Sequence, residues 1–258
     1  MSPRIQRPED GIALITGAST GIGRAVALEM ARRGWRVAAL ARNAEKLAEL
    51  AGEGAGRIMS YPCDVTDSSA VSETIRRIEQ EQGPIAFAFL NAGRSIHMTV
   101  PDFDAADIRA IYEVNVLGVF HCVAALLPLM TGRRAGQIAL CASVAGYGGL
   151  PRSTAYSSSK AAVISAAVGL AIDCRPFNVL IQCVNPGFVD TPLTQKNRFA
   201  MPFLMTPEAA ARRCVDGFER GGFEIVFPRR LAWFLKAINL LPYPLYIRLM
   251  RLARVREI

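Results

Sequence analysis

A tyrosine and a lysine lie four positions apart in the segment STAYSSSKAA, residues 153–162. In a helix, residues four apart lie on the same face, one turn from each other. The pair could be an exposed surface contact, or a proton donor with a cation that tunes it. A free phenol has a pKa of about 10, too high for proton exchange near neutral pH, and a nearby ammonium group lowers it. Tyr156 is therefore a candidate general acid–base, and Lys160 a candidate for tuning it.

Two further polar residues could complete this chemistry. Ser143 follows a predicted strand, and its hydroxyl could hold a substrate oxygen against Tyr156. Asn115 lies in the segment YEVNVLG, inside a helical pattern. Both have a structural explanation too, because Ser143 could cap the strand end and Asn115 could bond to backbone.

The two histidines are not required by this scheme. His97 follows a glycine turn, so we expect it near a substrate entrance. His121 lies in the apolar run VNVLGVFHCVAALL, so we expect an interior or interface position.

A glycine-rich turn could bind a phosphate group. The segment TGASTGIG, residues 16–23, follows one predicted strand and opens a predicted helix. Glycine permits a tight turn and a close approach of the backbone to a pyrophosphate, which the helix N-terminus also attracts. The predicted phosphate-binding residues are Gly17, Ser19, Thr20, Gly21, Ile22 and Gly23.

The second predicted strand ends in AALARN, residues 38–43. Many NAD sites have a carboxylate here to bind the ribose 2′-hydroxyl, but this chain has Ala41 followed by Arg42. An arginine can pair with a 2′-phosphate. We therefore expect NADP(H) to be preferred, with NAD(H) as the alternative, unless Arg42 is only a solvated residue at the start of a helix.

Short apolar runs alternate with helical patterns along the chain. The strong strand candidates are 11–16, 35–40, 85–90, 136–142 and 178–184, and the weaker ones are 56–61 and 223–227. Helical patterns cover 21–34, 43–52, 67–82, 104–130, 152–174 and 207–220. This alternation predicts an α/β fold, a Rossmann-like doubly wound parallel sheet flanked by helices. No break in composition indicates a second domain, so residues 1–258 are expected to form one dinucleotide-binding and catalytic domain.

Several motifs occur together in one order: TGASTGIG, CDV at 63–65, NAG at 91–93, Asn115, Ser143, YSSSK and NPGFVDTP at 185–192. With this combination of motifs, the chain resembles the short-chain dehydrogenase/reductase family over residues 10 to 228. The resemblance implies that Asp64 and Val65 contact the adenine and that Asn91, Ala92 and Gly93 line the cofactor. It places Pro186, Gly187, Val189 and Thr191 around the nicotinamide half.

The resemblance also implies a reaction. A hydride would pass between the nicotinamide and a carbonyl or alcohol carbon, while Tyr156 gives or takes the proton on oxygen. Lys160 would additionally hold the nicotinamide ribose, and an oxidised cofactor would add positive charge beside Tyr156. Asn115 would distort its helix locally and support a water chain to Lys160. Family members are often homodimers or homotetramers built on the long helices near 104–130 and 152–174.

Composition limits the compartment and the partners. The net charge of +8 is moderate and comes with no nucleic-acid-binding motif, so nucleic acid is not an expected partner. The six cysteines show no CxxC spacing, so we expect reduced buried thiols and no metal site. The N-terminus lacks an apolar signal segment, and no uninterrupted apolar run reaches about 18 residues. A cytoplasmic protein is expected, with a peripheral membrane position as the alternative.

Two segments bear on the substrate and on further partners. The segment 188–206 is rich in Phe, Leu and Met, so it is either a substrate loop for a hydrophobic carbonyl or alcohol, or a loop packed on the core. The C-terminal extension 229–258 is amphipathic, with Leu231, Phe234, Leu235, Ile238 and Leu241 at helical spacing. We favour packing of this extension over the cleft or against a partner subunit, and the alternative is contact with an anionic membrane surface.

Three functions remain open at this point. The favoured one is an NADPH-dependent carbonyl reductase or alcohol dehydrogenase. The others are an NAD-dependent alcohol dehydrogenase, which Arg42 disfavours, and a redox sensor that binds NADPH without turnover. A sensor would not need the acid–base pair of Tyr156 and Lys160.

Overall fold

The computed structural model of the chain describes residues 3–195 and 201–255. Its centre is a seven-stranded parallel sheet in the order β3-β2-β1-β4-β5-β6-β7. The strands are β1 Ile12–Thr16, β2 Arg36–Ala41, β3 Ile58–Pro62, β4 Ile85–Leu90, β5 Gly136–Cys141, β6 Val179–Pro186 and β7 Glu224–Phe227. Every predicted strand forms, including the two weaker candidates at 56–61 and 223–227, which become β3 and β7.

Helices connect the strands and cover both faces of the sheet. They are α1 Gly21–Arg32, α2 Ala44–Glu53, α3 Ser68–Gln82, α4 Ala105–Tyr112, α5 Gly118–Arg133, α6 Thr154–Asp173, α7 Pro207–Arg220, α8 Arg229–Asn239 and α9 Tyr243–Val255. Side-chain oxygens of Asn43, Asp67, Asp104 and Thr206 accept hydrogen bonds from the first turns of α2, α3, α4 and α7. The predicted helix 104–130 is interrupted by a π-helical turn, Glu113–Leu117.

Alternate residues of each central strand pack on opposite faces of the sheet. In β1, Ala13 and Ile15 belong to one core cluster, and Ile12 and Leu14 belong to the other. The first cluster includes Phe218 of α7, whose ring centroid lies 4.7 Å from that of Phe87. Because both faces are covered, the strands are apolar throughout, which explains the continuous runs in the sequence.

The chain reverses its direction of winding between β1 and β4. These two strands are neighbours, but β1 continues to β2 on one side and β4 continues to β5 on the other. In open α/β sheets a crevice forms at such a point, outside the carboxyl ends of the strands. The turn after Thr16 and the turn after Leu90 meet at this crevice.

Two helical stretches, Ala105–Arg133 and Thr154–Asp173, are long and apolar enough to cross a membrane by length and composition alone. Because the sequence has no uninterrupted apolar run of about 18 residues, we did not expect a helix that meets this criterion. Both stretches pack on the sheet, with Val119, Leu126 and Val163 buried in the core. Core packing therefore accounts for part of their apolar character, because 44% of the most apolar window in Ala105–Arg133 and 33% of that in Thr154–Asp173 is buried.

The C-terminal extension packs partly on the domain. Ala232 and Ile238 of α8 are buried, whereas Phe234, expected on the same apolar face as Ile238, is 60% exposed. In α9 the hydroxyl of Tyr246 donates to the backbone oxygen of Gly149 at 2.8 Å. The inner face of the extension is thus narrower than predicted. Residues 256–258 of the predicted extension lie outside the described part of the chain.

Candidate functional site

A cleft of about 970 Å³ opens at the carboxyl edge of the sheet. Its walls include nearly all of the residues predicted to bind a cofactor, namely Gly17, Ser19, Thr20, Gly21, Ile22, Arg42, Asp64, Val65, Asn91, Ala92, Gly93, Tyr156, Lys160, Pro186, Gly187, Val189 and Thr191. Gly23 and Asn115 do not line the cleft; both lie behind its wall. The structure therefore brings one predicted set of residues into one cavity.

The glycine-rich turn follows β1 and leads directly into α1. Gly17 and Gly21 have positive φ angles of 66° and 57°, a region that favours glycine. A Cβ on Gly23 would lie 2.4 Å from the carbonyl oxygen of Gly17, so only glycine allows α1 to approach the turn this closely. Within the described residues, the Thr20 side chain makes no capping hydrogen bond to α1. The amino end of α1 therefore presents its N–H groups to the cleft.

The NAG segment is fixed to the end of β1 by hydrogen bonds. The Thr16 hydroxyl accepts from the backbone N–H of Asn91 at 2.9 Å and from that of Ala92 at 3.1 Å. The Asn91 amide donates to the Thr16 carbonyl at 3.2 Å. These bonds hold the β4 turn beside the glycine-rich turn.

Arg42 and Asp64 lie at the far end of the cleft from Tyr156, after β2 and β3. The Arg42 guanidinium lies 3.9 Å from the Asp64 carboxylate, and 74% of the Arg42 side chain is exposed. Asp64 also accepts hydrogen bonds from the backbone and hydroxyl of Thr66. Asp64 is thus held in its turn, whereas Arg42 is a solvent-facing cation at the cleft rim.

Ser143, Tyr156 and Lys160 line the opposite part of the cleft. Lys160 is 4% exposed, and its ammonium nitrogen lies 5.8 Å from the centroid of the Tyr156 ring. The ammonium donates a hydrogen bond of 2.8 Å to the carbonyl of Cys141. The Ser143 hydroxyl accepts from the N–H of Ala145 and donates to the Pro186 carbonyl at 3.3 Å.

The pKa of Tyr156 differs from the expectation. Burial raises the pKa of Tyr156 to about 12, while a hydrogen bond with Ser143 acts in the opposite direction. Burial also lowers the pKa of Lys160. The expected lowering of the Tyr156 pKa is therefore wrong for the protein alone, because desolvation of the phenol outweighs the other effects and the ammonium is directed at Cys141.

Asn115 occupies the π-helical turn and is fully buried. Its side-chain oxygen accepts from the N–H of Arg94 at 2.7 Å, and its amide donates to the Arg94 carbonyl and to the Ser159 hydroxyl. The expected helix distortion is present at this residue. The Asn115 side chain ties the segment after NAG to the helix that carries Tyr156 and Lys160.

The histidines lie outside the cleft wall. Nδ1 of His121 makes a hydrogen bond of 2.9 Å with the Val65 carbonyl, which agrees with an interior position. His97 is exposed and is not among the residues that line the cleft. Its position near a substrate entrance stays a prediction.

Part of the predicted substrate loop lines the cleft. Val189, Thr191, Pro192, Leu193 and Thr194 line the cavity, and a backbone bridge joins Val189 to Met205. Phe203 and Leu204 are 53% and 46% exposed. Residues 196–200 of the predicted loop lie outside the described residues.

Sequence reasoning missed several residues of the cleft wall. These are Asn43, Arg94, Ser95, Ile96, Val114, Cys141 and Ala142. Most of them lie within a few positions of a predicted residue or motif, so adjacency to Arg42, NAG or Ser143 was the available signal. Ile96 and Val114 gain their place through contacts between distant segments, which local patterns do not reveal.

Comparison with known proteins identifies the family. Residues 11–201 match the model of the short chain dehydrogenase family. The chain belongs to the short-chain dehydrogenase/reductase family. A relative from Myxococcus xanthus, named as an uncharacterized oxidoreductase, is 38% identical over 91% of this chain and 94% of its own length. A 3-oxoacyl-(acyl-carrier-protein) reductase from Thermotoga maritima is 34% identical over 74% of this chain and 78% of its own.

Solved structures agree with this assignment. A short-chain dehydrogenase from Sphingobium yanoikuyae in complex with NADPH has a TM-score of 0.76 and 25% identity, covering 84% of this chain and 88% of its own. A short-chain dehydrogenase/reductase from Burkholderia phymatum in complex with NAD has a TM-score of 0.81 and 23% identity, covering 88% and 92%. The second likeness concerns the fold alone. As a short-chain dehydrogenase/reductase, the protein is an oxidoreductase that acts on CH–OH or C=O groups.

Proposed function

We propose that the protein is an NADPH-dependent short-chain oxidoreductase that reduces a hydrophobic carbonyl compound or oxidises the corresponding alcohol. The observation that carries this proposal is the cleft itself. One end holds a phenol, a hydroxyl and a buried ammonium group, and the other holds the glycine-rich turn with the exposed Arg42. A nicotinamide dinucleotide has its reactive ring and its phosphates at matching positions along such a cleft.

The residues present fit a dinucleotide. The N–H groups at the start of α1 and the positive φ of Gly17 and Gly21 form a cradle for a pyrophosphate. The Lys160 ammonium would lie 3.6 Å from a Cβ placed on Gly93, so the cation reaches the cleft where a ribose would lie. When bound, the nicotinamide supplies or accepts the hydride.

The protein's own residues position the substrate and move the proton. The Ser143 hydroxyl, now bonded to the Pro186 carbonyl, would turn to hold the substrate oxygen. Tyr156 would donate its proton to that oxygen during reduction and take it back during oxidation. Lys160 would hold the ribose and provide positive charge near the phenol. Asn115 would act as a positioning residue, because its side chain is bonded to Arg94 and Ser159.

Arg42 supports a preference for NADPH over NADH. The guanidinium is exposed at the end of β2, and within the described part of the chain its only ion pair is the long one of 3.9 Å with Asp64. It can therefore turn towards a 2′-phosphate and form charge-assisted hydrogen bonds. NADH remains the alternative cofactor, because Asp64 is a carboxylate in the same part of the cleft.

The substrate is proposed to be hydrophobic. Ile96, Val114 and Leu193 line the cleft, and Phe203 and Leu204 are exposed on the adjoining loop. These apolar side chains would bind a ligand through burial of apolar surface. A lipid-like ketone or secondary alcohol fits this description.

The test is an assay of nicotinamide oxidation and reduction with a panel of lipid-like ketones and alcohols and with both cofactors. We expect turnover that is faster with NADPH than with NADH. It should also be faster with long-chain than with short-chain ketones and alcohols. Equal rates for short polar and long apolar carbonyls would refute the substrate class. Binding of NADPH with no turnover on the whole panel would favour the sensor.

We also propose a homodimer or homotetramer. Leu117, Phe120, Val168 and Ile172 are exposed apolar residues around α5 and α6, with Ile172 68% exposed. Apolar residues left on these core helices suit an interface between subunits. Light scattering should give two or four times the mass of one chain, and replacement of Val168 and Ile172 by glutamate should lower it.

A further inference from the structure

The outer surface of the C-terminal extension is apolar and exposed. Nine large apolar residues of α8, α9 and the turn between them are exposed, and we call them the tail surface: Trp233, Phe234, Leu240, Leu241, Tyr243, Leu245, Ile247, Leu249 and Leu252. The exposed fractions reach 71% for Trp233, 86% for Leu240 and 81% for Tyr243. Nine exposed apolar side chains in one short segment differ from single exposed leucines and mark an interaction surface.

The charge of α8, α9 and the turn between them is of one sign only. Residues 228–255 contain no aspartate or glutamate, and they contain the basic residues Arg229, Arg230, Lys236, Arg248, Arg251 and Arg254. Of these, Lys236 is paired with Glu224 of β7. The tail surface therefore combines apolar side chains with unbalanced positive charge, which is complementary to a negatively charged partner.

The residue pattern of α9 is that of a helix lying parallel to a membrane surface, at the boundary between lipid and water. Successive helical residues are about 100° apart, so Leu245, Leu249 and Leu252 form one stripe and Arg248 and Arg251 lie beside it. Tyr246 and Met250 are less exposed and face the domain. The stripe is thus free to enter a lipid layer while the arginines reach its headgroups.

We propose that the tail surface docks on a bilayer that contains anionic phospholipid. Trp233 and Tyr243 are amphipathic side chains that prefer the boundary between headgroups and acyl chains. A second copy of the chain suits this surface less well. A two-fold contact places a surface against itself, and the segment 228–255 would bring basic groups together with no acid of its own to balance them.

Docking would orient the cleft relative to the bilayer. The tail lies against the segment that follows Ser143: the Tyr246 hydroxyl donates to the Gly149 carbonyl, and a Cβ on Gly148 would lie 2.9 Å from Asn239. A leucine of α8, Leu231, would lie 3.1 Å from a Cβ on Gly187 at the cleft wall. The docked tail would hold this side of the cleft close to the lipid.

Intrinsic fluorescence offers a direct test. The chain has two tryptophans, Trp35, which is 4% exposed, and Trp233 in the tail surface. Vesicles of phosphatidylcholine with phosphatidylglycerol should shift the emission of the full-length protein to shorter wavelength, and brominated lipid should quench it. Vesicles of phosphatidylcholine alone should do neither at the same lipid concentration. The measurement uses neither cofactor nor substrate, so its failure leaves the proposed function untouched.

Matched charge variants test the role of the arginines. The double variant Arg248→Gln/Arg251→Gln should bind the anionic vesicles about 30-fold more weakly in co-sedimentation, since each basic residue near the surface contributes about 1 kcal/mol. The control Arg212→Gln/Arg213→Gln removes the same charge from the exposed face of α7 and should bind like the parent protein. Circular dichroism confirms that both variants fold.

Other outcomes overturn the proposal. No vesicle binding, equal binding to neutral and anionic vesicles, or equal loss in the two double variants would each contradict it. The double variant Leu245→Ser/Leu249→Ser gives a further test. If it lowers the oligomeric mass in solution and leaves vesicle binding unchanged, the tail surface binds a second copy of the chain instead of a bilayer.

Discussion

The ammonium of Lys160 donates a 2.8 Å hydrogen bond to the carbonyl of Cys141, the last residue of β5. This bond fixes the α6 lysine to the strand end that leads to Ser143. A buried cation is costly unless its donors are satisfied. Cys141 provides such a partner, and Lys160 also lines the cleft. The helix and the strand end are thereby held in the register that the proposed chemistry needs.

Replacement of Tyr156 by phenylalanine tests the proton donor. The variant keeps the ring and removes the hydroxyl, so kcat should fall by about 10²–10⁴, with little change in cofactor affinity. The matched control is Tyr112→Phe, because the Tyr112 hydroxyl donates to Ser158 outside the cleft. Steady-state kinetics of both variants decides the matter. Near-normal turnover by Tyr156→Phe would show that another group supplies the proton.

Replacement of Lys160 by methionine should separate stability from activity. The substitution removes a buried ammonium group, whose pKa is lowered by burial, and it also removes the hydrogen bond to the Cys141 carbonyl. These effects oppose each other, so the free energy of unfolding should stay within about 1 kcal/mol of the parent value. Cofactor KM should rise and kcat should fall. Urea denaturation together with kinetics measures both, and a large loss of stability would indicate a structural role.

The raised pKa of Tyr156 predicts the pH dependence of each direction. With a pKa near 12, the phenol is protonated at neutral pH and is ready to donate. Reduction should therefore be nearly constant between about pH 6 and pH 9, while oxidation, which needs the phenolate, should rise by up to about tenfold per pH unit. Initial rates on one ketone–alcohol pair provide the comparison. Oxidation that is independent of pH would mean that cofactor binding lowers the pKa far below its value here.

Arg42→Asp tests the choice of cofactor. A carboxylate repels a 2′-phosphate and can accept from a ribose hydroxyl. The ratio of kcat/KM for NADPH to kcat/KM for NADH should fall by about 10- to 100-fold. Arg76→Asp on the exposed face of α3 is the control for net charge. An unchanged ratio in Arg42→Asp would remove Arg42 from the cofactor site.

Much of the fold was predictable because local and tertiary preferences agree. β1 and β4 are buried on both faces, so their composition alone indicated strands of a parallel sheet. The interruption of the helix at Asn115 was not predictable from periodicity. It depends on hydrogen bonds to Arg94, 21 residues away along the chain. Only the resemblance to a family suggested a distortion there.

The candidate site was predictable in its residue types and less so in its electrostatics. Spacing indicated that Tyr156 and Lys160 share a helix face, and both line the cleft. Spacing could not indicate how dry that face is, and desolvation decides the direction of both pKa shifts. In the tail, the pattern indicated amphipathic helices, but Phe234 faces solvent because the inner face that packs on the domain is narrow.

Glu224 joins three parts of the chain. Its carboxylate accepts from Lys236 of α8, from the Tyr147 hydroxyl and from the Asn185 amide. Burial alone would raise the pKa of Glu224, but these donors outweigh it and lower the pKa. A chain shortened at residue 228 would leave this carboxylate without its cation and would uncover the wall at Gly187. The last two helices are therefore not a detachable module, and truncation would report on the integrity of the enzyme rather than on the role of its tail.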